Sequence, residues 1–577
     1  MRRLSPLRLM MIAGIAAQAP GYSGIVFTQI PIDRAGAAKS EGGRLVLLEP
    51  SGATRVLTAG FESAADPAVS FDGTRILFAG KRRSSEPWNI YEMKADGSAV
   101  RRITHDLGNC RSPIYQSPIF YLDDPGPMPQ IAFVSDEPAG FGEHGPARST
   151  HLYSARLDGS GVRRLTYNPS GAFDPAMLPD GRMLFSSWRA PSLAEPSGYL
   201  DLFGVNIDGT DFAAFSGVQG RRVKHMACVT AKRQVVFVDA DSVSWDGAGP
   251  LAVIDLRRNL HSYRRLTLAS QGLFHSPSPL PDGSLLVARR TADGRGTHGI
   301  YRLDPATRVI ELVFDAAGSH EIQPQALAPR EIPDGRSSVV DEKQPWAKLY
   351  CLNLYDSDLD SRLWPKGIVK RIRVLEGLAR SASAAGSFQP LRKRFIGEID
   401  VDEDGSFNLQ IPANTPVRIQ ALDANGMSLR TCAWIWAKNK EQRGCIGCHE
   451  DGERTPENVM ASALTRASIN LMLAPDRRRT VEFDRDVAPI LERKCATAAC
   501  HGGTVLPKLS GQGAQVTPGS ARTSPLIWAV FGKNTSRPWD RAAGAATPKP
   551  MPHPGAAPLT DSEKRAIIEW IDLGGGQ

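Results

Sequence analysis

Asp66-Pro67-Ala68-Val69-Ser70-Phe71-Asp72-Gly73 opens a unit that continues through Ile76-Leu77-Phe78, Trp88-Asn89-Ile90-Tyr91, Ala95-Asp96-Gly97 and Val100-Arg101-Arg102-Ile103-Thr104. The opening returns as Asp174-Pro175-Ala176-Met177-Leu178-Pro179-Asp180-Gly181 before Met183-Leu184-Phe185. It returns again as Ser276-Pro277-Ser278-Pro279-Leu280-Pro281-Asp282-Gly283 before Leu285-Leu286-Val287. The Asp-Gly pairs supply the positive φ angles that tight hairpins need. Between them lie runs of strand length, such as His151-Leu152-Tyr153-Ser154-Ala155 and Gln234-Val235-Val236-Phe237-Val238. Four short strands repeating every ~40–55 residues predict propeller blades, which leave few exposed sheet edges. Five full units fit between residues 66 and 315. A sixth closes if the segment after His320 pairs with the N-terminal strands Ile25-Val26-Phe27 and Leu45-Val46-Leu47-Leu48. Six blades are expected, with seven as the alternative count.

The chain has 577 residues, too many for one domain of about 150. With 41% hydrophobic and 23% charged residues it can bury a sizeable core, which excludes a mostly disordered chain. Gly 54 and Pro 43 are aperiodic, so collagen is excluded and many turns are implied. The net charge of +8 is spread along the chain. With no polybasic helix or aromatic-interleaved groove, it reads as solvated surface rather than a nucleic-acid site. At the N-terminus, Met1-Arg2-Arg3-Leu4-Ser5-Pro6-Leu7-Arg8 precedes the apolar stretch Leu9 to Ala17 and the tripeptide Ala17-Gln18-Ala19. That layout predicts a secretory signal over 1–19 and a periplasmic protein. An uncleaved start is the alternative, because Pro20 follows the best cleavage site. No segment reaches the ~20 apolar residues of a transmembrane span.

After Arg330 the pattern changes, and the polar stretch 331–345 suits a linker. Period-two runs follow at Ile368 to Val374, Gly397 to Val401, Phe407 to Ile411 and Val417 to Leu422, which predict a small β-sandwich. The last hundred residues read as helical. Val487, Ile490 and Leu491 have helical spacing within Asp484 to Lys494, and Thr560-Asp561-Ser562-Glu563 is a capping box for a helix from Lys564 to Leu573. The expected organisation is a mainly β multidomain protein: propeller 20–330, β middle domain 331–460 and α-helical C-terminal domain 475–577.

Of eight cysteines, Cys110, Cys228, Cys351 and Cys432 are scattered, whereas Cys445, Cys448, Cys495 and Cys500 lie close together. Gly444-Cys445-Ile446-Gly447-Cys448-His449-Glu450 contains C-x-x-C-H, in which two thiols add to the haem vinyl groups and the adjacent His reaches the iron. Random placement of 8 Cys and 11 His yields it about 0.002 times per chain, so coincidence explains it poorly. Zinc is the competing chemistry, but a C-x-x-C half-site needs a second pair of ligands, and none is adjacent. Cys495-Ala496-Thr497-Ala498-Ala499-Cys500-His501 has the same order with a longer loop, and a Cys495–Cys500 disulfide or a metal site is its alternative. A lone propeller Cys110 or Cys228 reads as a small buried hydrophobe rather than a group reaching a haem, and His225 is the third propeller residue that could reach one.

The Asp-Gly units resemble the TolB-like propeller repeat. Phe483-Asp484-Arg485-Asp486-Val487-Ala488-Pro489-Ile490-Leu491, Met551-Pro552-His553-Pro554 and Ile567-Ile568-Glu569-Trp570-Ile571-Asp572 resemble a planctomycete-type cytochrome c. That resemblance implies haem iron held by His501 and by Met551 from the late loop, with His553 and the propeller histidines His261 and His275 as alternatives. Trp570 reads as core. The order of propeller, then Glu403-Asp404-Gly405-Ser406-Phe407, Ile411-Pro412-Ala413-Asn414-Thr415-Pro416 and Gln420-Ala421-Leu422-Asp423, then the first haem motif, then the C-terminal domain resembles the hydrazine synthase alpha subunit-like family. The motifs themselves point to two covalent c-type haems with iron bound by His449 and His501, and the resemblance implies a redox partner protein and a small-molecule substrate. It also implies a catalytic middle-domain haem with a tyrosine ligand just after the motif, and zinc on the motif His. Here position 453 is Glu453, and no tyrosine occurs after Tyr355. Electron transfer or haem-based redox chemistry is the expected function. The alternative is a propeller-based binding or scaffold protein with the haem domain as tether or sensor.

Overall fold

The computed structural model describes residues 21–32, 42–121, 126–138, 140–143, 148–189, 198–379, 391–449, 451–495, 516–546, 551 and 557–575. The expected signal segment therefore lies outside the described residues. So do Cys500, His501 and His553.

The first described unit is the antiparallel meander Ser63–Val69, Arg75–Lys81, Asn89–Lys94 and Arg101–Arg102. Equivalent meanders start at Cys110–Tyr115, Phe173–Met177, Val223–Val229 and Leu273–Pro279. The Phe173 and Val223 meanders share one sheet through a parallel pairing of Leu200 with Val223. The ring closes as the repeat requires, with Ser319–Ala326 pairing against the N-terminal strand Ile25–Pro31, followed by Arg44–Leu48 and Thr54–Val56.

Each innermost strand carries a register shift at one left-handed residue, namely Asp66, Ser112, Asp174, Met226, Ser276 and Gln323, with φ from 45° to 56°. In five of the six the next residue is proline: Pro67, Pro113, Pro175, Pro277 and Pro324. Proline donates nothing to a ladder and is tolerated in a sheet at such bulges. The bulges also join neighbouring units. Asp66 accepts hydrogen bonds from Arg111 Nε at 2.6 Å, the Ser112 amide at 2.9 Å and Gln323 Nε2 at 2.6 Å. Burial would raise its carboxyl, but the Arg111 charge and these bonds overcome that and hold it below the usual range.

The stretch read as a linker is instead pinned to the propeller. Arg336–Ser337 pairs in parallel with Ile119–Phe120, and Ser338 Oγ donates to Asp208 at 2.7 Å. The middle region is a sandwich, as its alternation predicts. One sheet holds Gln442–Cys445, Trp346–Cys351, Phe407–Pro412 and Ile469–Asn470; the other holds Lys393–Asp400, Arg371–Gly377, Val417–Leu422 and Ser428–Thr431. Leu349, Trp364, Ile372, Val374, Leu409 and Val417 fill the space between them. Trp436 leaves this core for the propeller, stacking on Phe212 at 4.3 Å and donating to the Gly209 carbonyl at 3.0 Å.

The C-terminal region is helical. The segment expected as one helix begins as a wide π turn, Phe483–Val487, and becomes α over Ala488–Lys494, where Pro489 occupies the first turn. The last helix, Asp561–Asp572, has the expected capping box: Thr560 Oγ1 accepts the Glu563 amide and Glu563 accepts the Thr560 amide. Trp570 lies in its core against Phe483. The helix is fastened to the sandwich by Arg373, which is fully buried. Arg373 bonds Glu398 at 2.7 Å and lies 3.8 Å from Asp572. Asp572 in turn accepts the amides of Ser428 and Ala521.

Candidate functional site

Strand Gln442–Cys445 lies parallel to Trp346–Cys351, with Cys445 opposite Cys351, and the chain then turns sharply through Ile446 to His449. The loop after Cys351 wraps this turn with backbone bonds. Leu352 N–H donates to the Cys445 carbonyl, Asn353 N–H to Ile446, and Cys448 N–H to Asp356 at 2.8 Å. Gly447 is required here, because a Cβ would stand 2.1 Å from the Asp356 carbonyl oxygen. Cys445 and Cys448 are half-buried against the sandwich core, and His449 follows in a left-handed conformation at φ 64°.

His449 is exposed by surface area yet crowded by protein on one side. That crowding first, and the Arg430 charge second, push its pKa down to about 4, so the imidazole is neutral at pH 7. Arg430 is held by Asp358 Oδ1 at 2.5 Å and Ser357 Oγ at 2.8 Å. Two half-buried thiols and a neutral imidazole on one rigid turn are the donor set for covalent haem attachment, and the residues present fit that group. Among the described residues no three His, Cys, Asp or Glu side chains gather as a metal cage.

Beyond the motif, Asp451 and Glu453 tie the sandwich to a propeller hairpin. His261 Nε2 meets Asp451 Oδ2 at 2.9 Å, and the Leu260 amide donates to Glu453 Oε1 at 2.8 Å. Glu453, standing where a tyrosine ligand was expected, is thus already engaged. His261 pairs with a carboxylate as well.

His275 is buried in an inner propeller strand with Nδ1 on Ser276 Oγ, and burial, then the His298 charge, push it down to about 3. His225 Nε2 faces the Gly247 carbonyl at 2.8 Å. Cys110 and Cys228 are buried, and burial pushes both thiols up to about 12, as suits small hydrophobes. Cys495 caps helix Ala488–Lys494 through its N–H to Leu491 and packs on the C-terminal core. Met551 is half-buried, its amide donating to the Ala529 carbonyl.

Sequence reasoning missed the polar seam between propeller and sandwich. There Glu143 accepts Arg418 Nη2 at 2.7 Å and Trp434 Nε1 at 2.9 Å, and Arg189 pairs with Asp201. The sequence signal for Arg443 is its position two before Cys445 on one strand, which places both side chains on one face.

Fold and site together define a mainly β, propeller-bearing protein whose sandwich presents a C-x-x-C-H turn at its edge. The family model for the hydrazine synthase alpha subunit middle domain matches residues 367–450. Hydrazine synthase subunit alpha of Kuenenia stuttgartiensis is 26% identical over 97% of this chain and 92% of its own. The solved Kuenenia stuttgartiensis hydrazine synthase superposes with a TM-score of 0.81 at 25% identity, covering 96% of this chain and 94% of that one. TolB from Acinetobacter baumannii, at 16% identity and a TM-score of 0.38 over 54% of this chain and 68% of its own, is too distant to carry weight. The chain is similar to the hydrazine synthase alpha subunit over nearly its whole length.

Proposed function

We propose that this chain is an exported dihaem c-type protein performing electron transfer or redox chemistry on a small nitrogen compound, with a six-bladed propeller, a haem-binding middle domain and a C-terminal cytochrome c-like domain. The observation that carries the reading is the Cys445 to His449 turn, where Gly447 is forced and both thiols and the imidazole sit at the edge of a packed core. Cys445 and Cys448 would form the thioethers and His449 would bind the iron. Cys495, Cys500 and His501 would do the same for a second haem, with Met551 as its distal ligand. When bound, haem supplies one-electron redox chemistry at its iron.

The chain's own residues hold and tune that site. The Arg430–Asp358 pair stands beside His449, and the depressed pKa keeps the imidazole lone pair available for iron. The relative's name, hydrazine synthase, supports a small nitrogen substrate, and the word subunit in it supports partner chains. Glu453 in place of a tyrosine argues for a reaction or ligand set of its own. No described helix is long and apolar enough to cross a membrane. An absorption spectrum together with a haem stain of a denaturing gel tests the reading. Covalent haem is expected. A colourless protein from a host that matures cytochromes c would leave the propeller-based binding reading as the better one.

A further inference from the structure

Among the described residues, the seam between propeller and sandwich leaves several arginine donors without an acceptor. Asp201 serves both Arg189 and Lys224. Glu143 bonds Arg418, and its charge acts on Lys393 as well. Arg443 has no carboxylate within 4 Å among the described residues; its Nη2 donates to the Phe212 carbonyl. Donors are left over: Arg189 Nε, Arg418 Nε, and Arg443 Nε and Nη1 are buried without a hydrogen-bond partner. Arg418 is only 9% exposed, so its guanidinium has no recourse to bulk water. Unpaired buried donors are costly, so a group of them marks a place for an acceptor such as an anion.

The three guanidiniums are linked through two aromatic rings that line one small cavity. Arg189 lines a small cavity with Phe212 and Trp434; Arg418 stacks on Trp434 at 4.2 Å, and Arg443 lies 5.8 Å from the Phe212 ring. That location adjoins the motif. Arg443 shares a strand face with Cys445, two residues before it.

We propose that Arg189, Arg418 and Arg443 form a receptor for a carboxylate or small oxyanion beside the Cys445–His449 motif. Two sources have this chemistry: the propionates of a haem held at Cys445 and Cys448, and a free oxyanion such as formate or nitrite. The propionate source rests on the haem reading above; the free-anion source does not. Planar guanidinium forks match carboxylate geometry in either case.

The test uses full-length protein matured in a cytochrome c-competent host, as wild type, Arg443→Gln, Arg443→Lys and Arg189→Gln. Haem is counted by mass in every sample, midpoint potentials are measured by spectroelectrochemistry, and formate and nitrite are titrated against melting temperature. If propionates occupy the receptor, Arg443→Gln lowers the midpoint of one haem, Arg443→Lys retains it, and neither anion moves the wild-type melting temperature. If a free oxyanion occupies it, formate or nitrite raises the wild-type melting temperature saturably, and Arg443→Gln or Arg189→Gln weakens that effect at least tenfold. Unchanged potentials in every folded variant, with no stabilisation by either anion, would overturn the receptor. Absence of haem at Cys445 and Cys448 would overturn the haem reading alone, and the anion titration would still decide the receptor.

Discussion

Gly447 is the residue on which the motif turn depends, because its neighbour is a backbone carbonyl that cannot rotate away. Gly447→Ala would place a methyl 2.1 Å from the Asp356 oxygen, so the Cys351–Asp358 loop and the turn must separate. Overpacking of this kind costs about 1–3 kcal/mol. The expected result is a lower melting temperature with less haem at Cys445 and Cys448, read from intact mass. At the same scale, Cys448→Ser should remove one haem's mass while leaving the second. The motif itself is legible in the sequence because its chemistry is local, five consecutive residues in fixed order. The arginines at 189, 418 and 443 are not, since no local spacing links them: Arg189 lies on a propeller strand, and Arg418 and Arg443 lie on the two sheets of the sandwich.

Among the elements, the last helix and the sandwich sheet it covers are joined by Arg373. Glu398 and Glu569 have other arginine partners, but fully buried Asp572 relies on Arg373 and Arg522 for charge compensation. Arg373→Ala should destabilise the protein by about 3–5 kcal/mol, as removal of one partner from a buried ion pair does. Urea unfolding checks this, and Arg373→Lys should recover part of the loss. The elements also show where sequence reading succeeds. Asp-Gly turns and the Thr560–Glu563 cap are read from adjacent residues, and their structures follow. The inner-strand bulges carry a local mark that the sequence reading did not use, a proline after the left-handed residue, although Met226-Ala227 obtains the same bulge without one. The linker at 331–345 is almost free of regular structure, but its two-residue strand Arg336–Ser337 could not be read, because a short polar strand looks like a loop until a partner such as Ile119–Phe120 is known.

On the scale of the whole molecule, three regions meet near Lys393, whose Nζ donates to the Leu573 carbonyl at 2.7 Å. Burial first, and the Arg418 charge second, push its pKa down to about 8. Between about 8 and the ordinary lysine value, the unfolded chain binds a proton that the native one lacks, so stability rises with pH across that window. The gain is at most about 3 kcal/mol, and Lys393→Met should flatten that part of the stability–pH curve measured by chemical denaturation. Trp436, 1% exposed and seated against Phe212, carries the propeller–sandwich contact. Trp436→Ala should cost about 3–5 kcal/mol and loosen that seam, seen as new proteolytic cleavage between the two regions.

Under the proposed function, both cysteine motifs carry covalent haem. Intact mass spectrometry of the mature protein, purified from a host with a cytochrome c maturation system, measures this directly. The expected mass exceeds the polypeptide by two haems, falling by one haem in Cys448→Ser and by one in Cys500→Ser. A mass equal to the polypeptide alone would contradict it, and a single haem lost only in Cys448→Ser would reduce the Cys495–Cys500 motif to a disulfide or metal site.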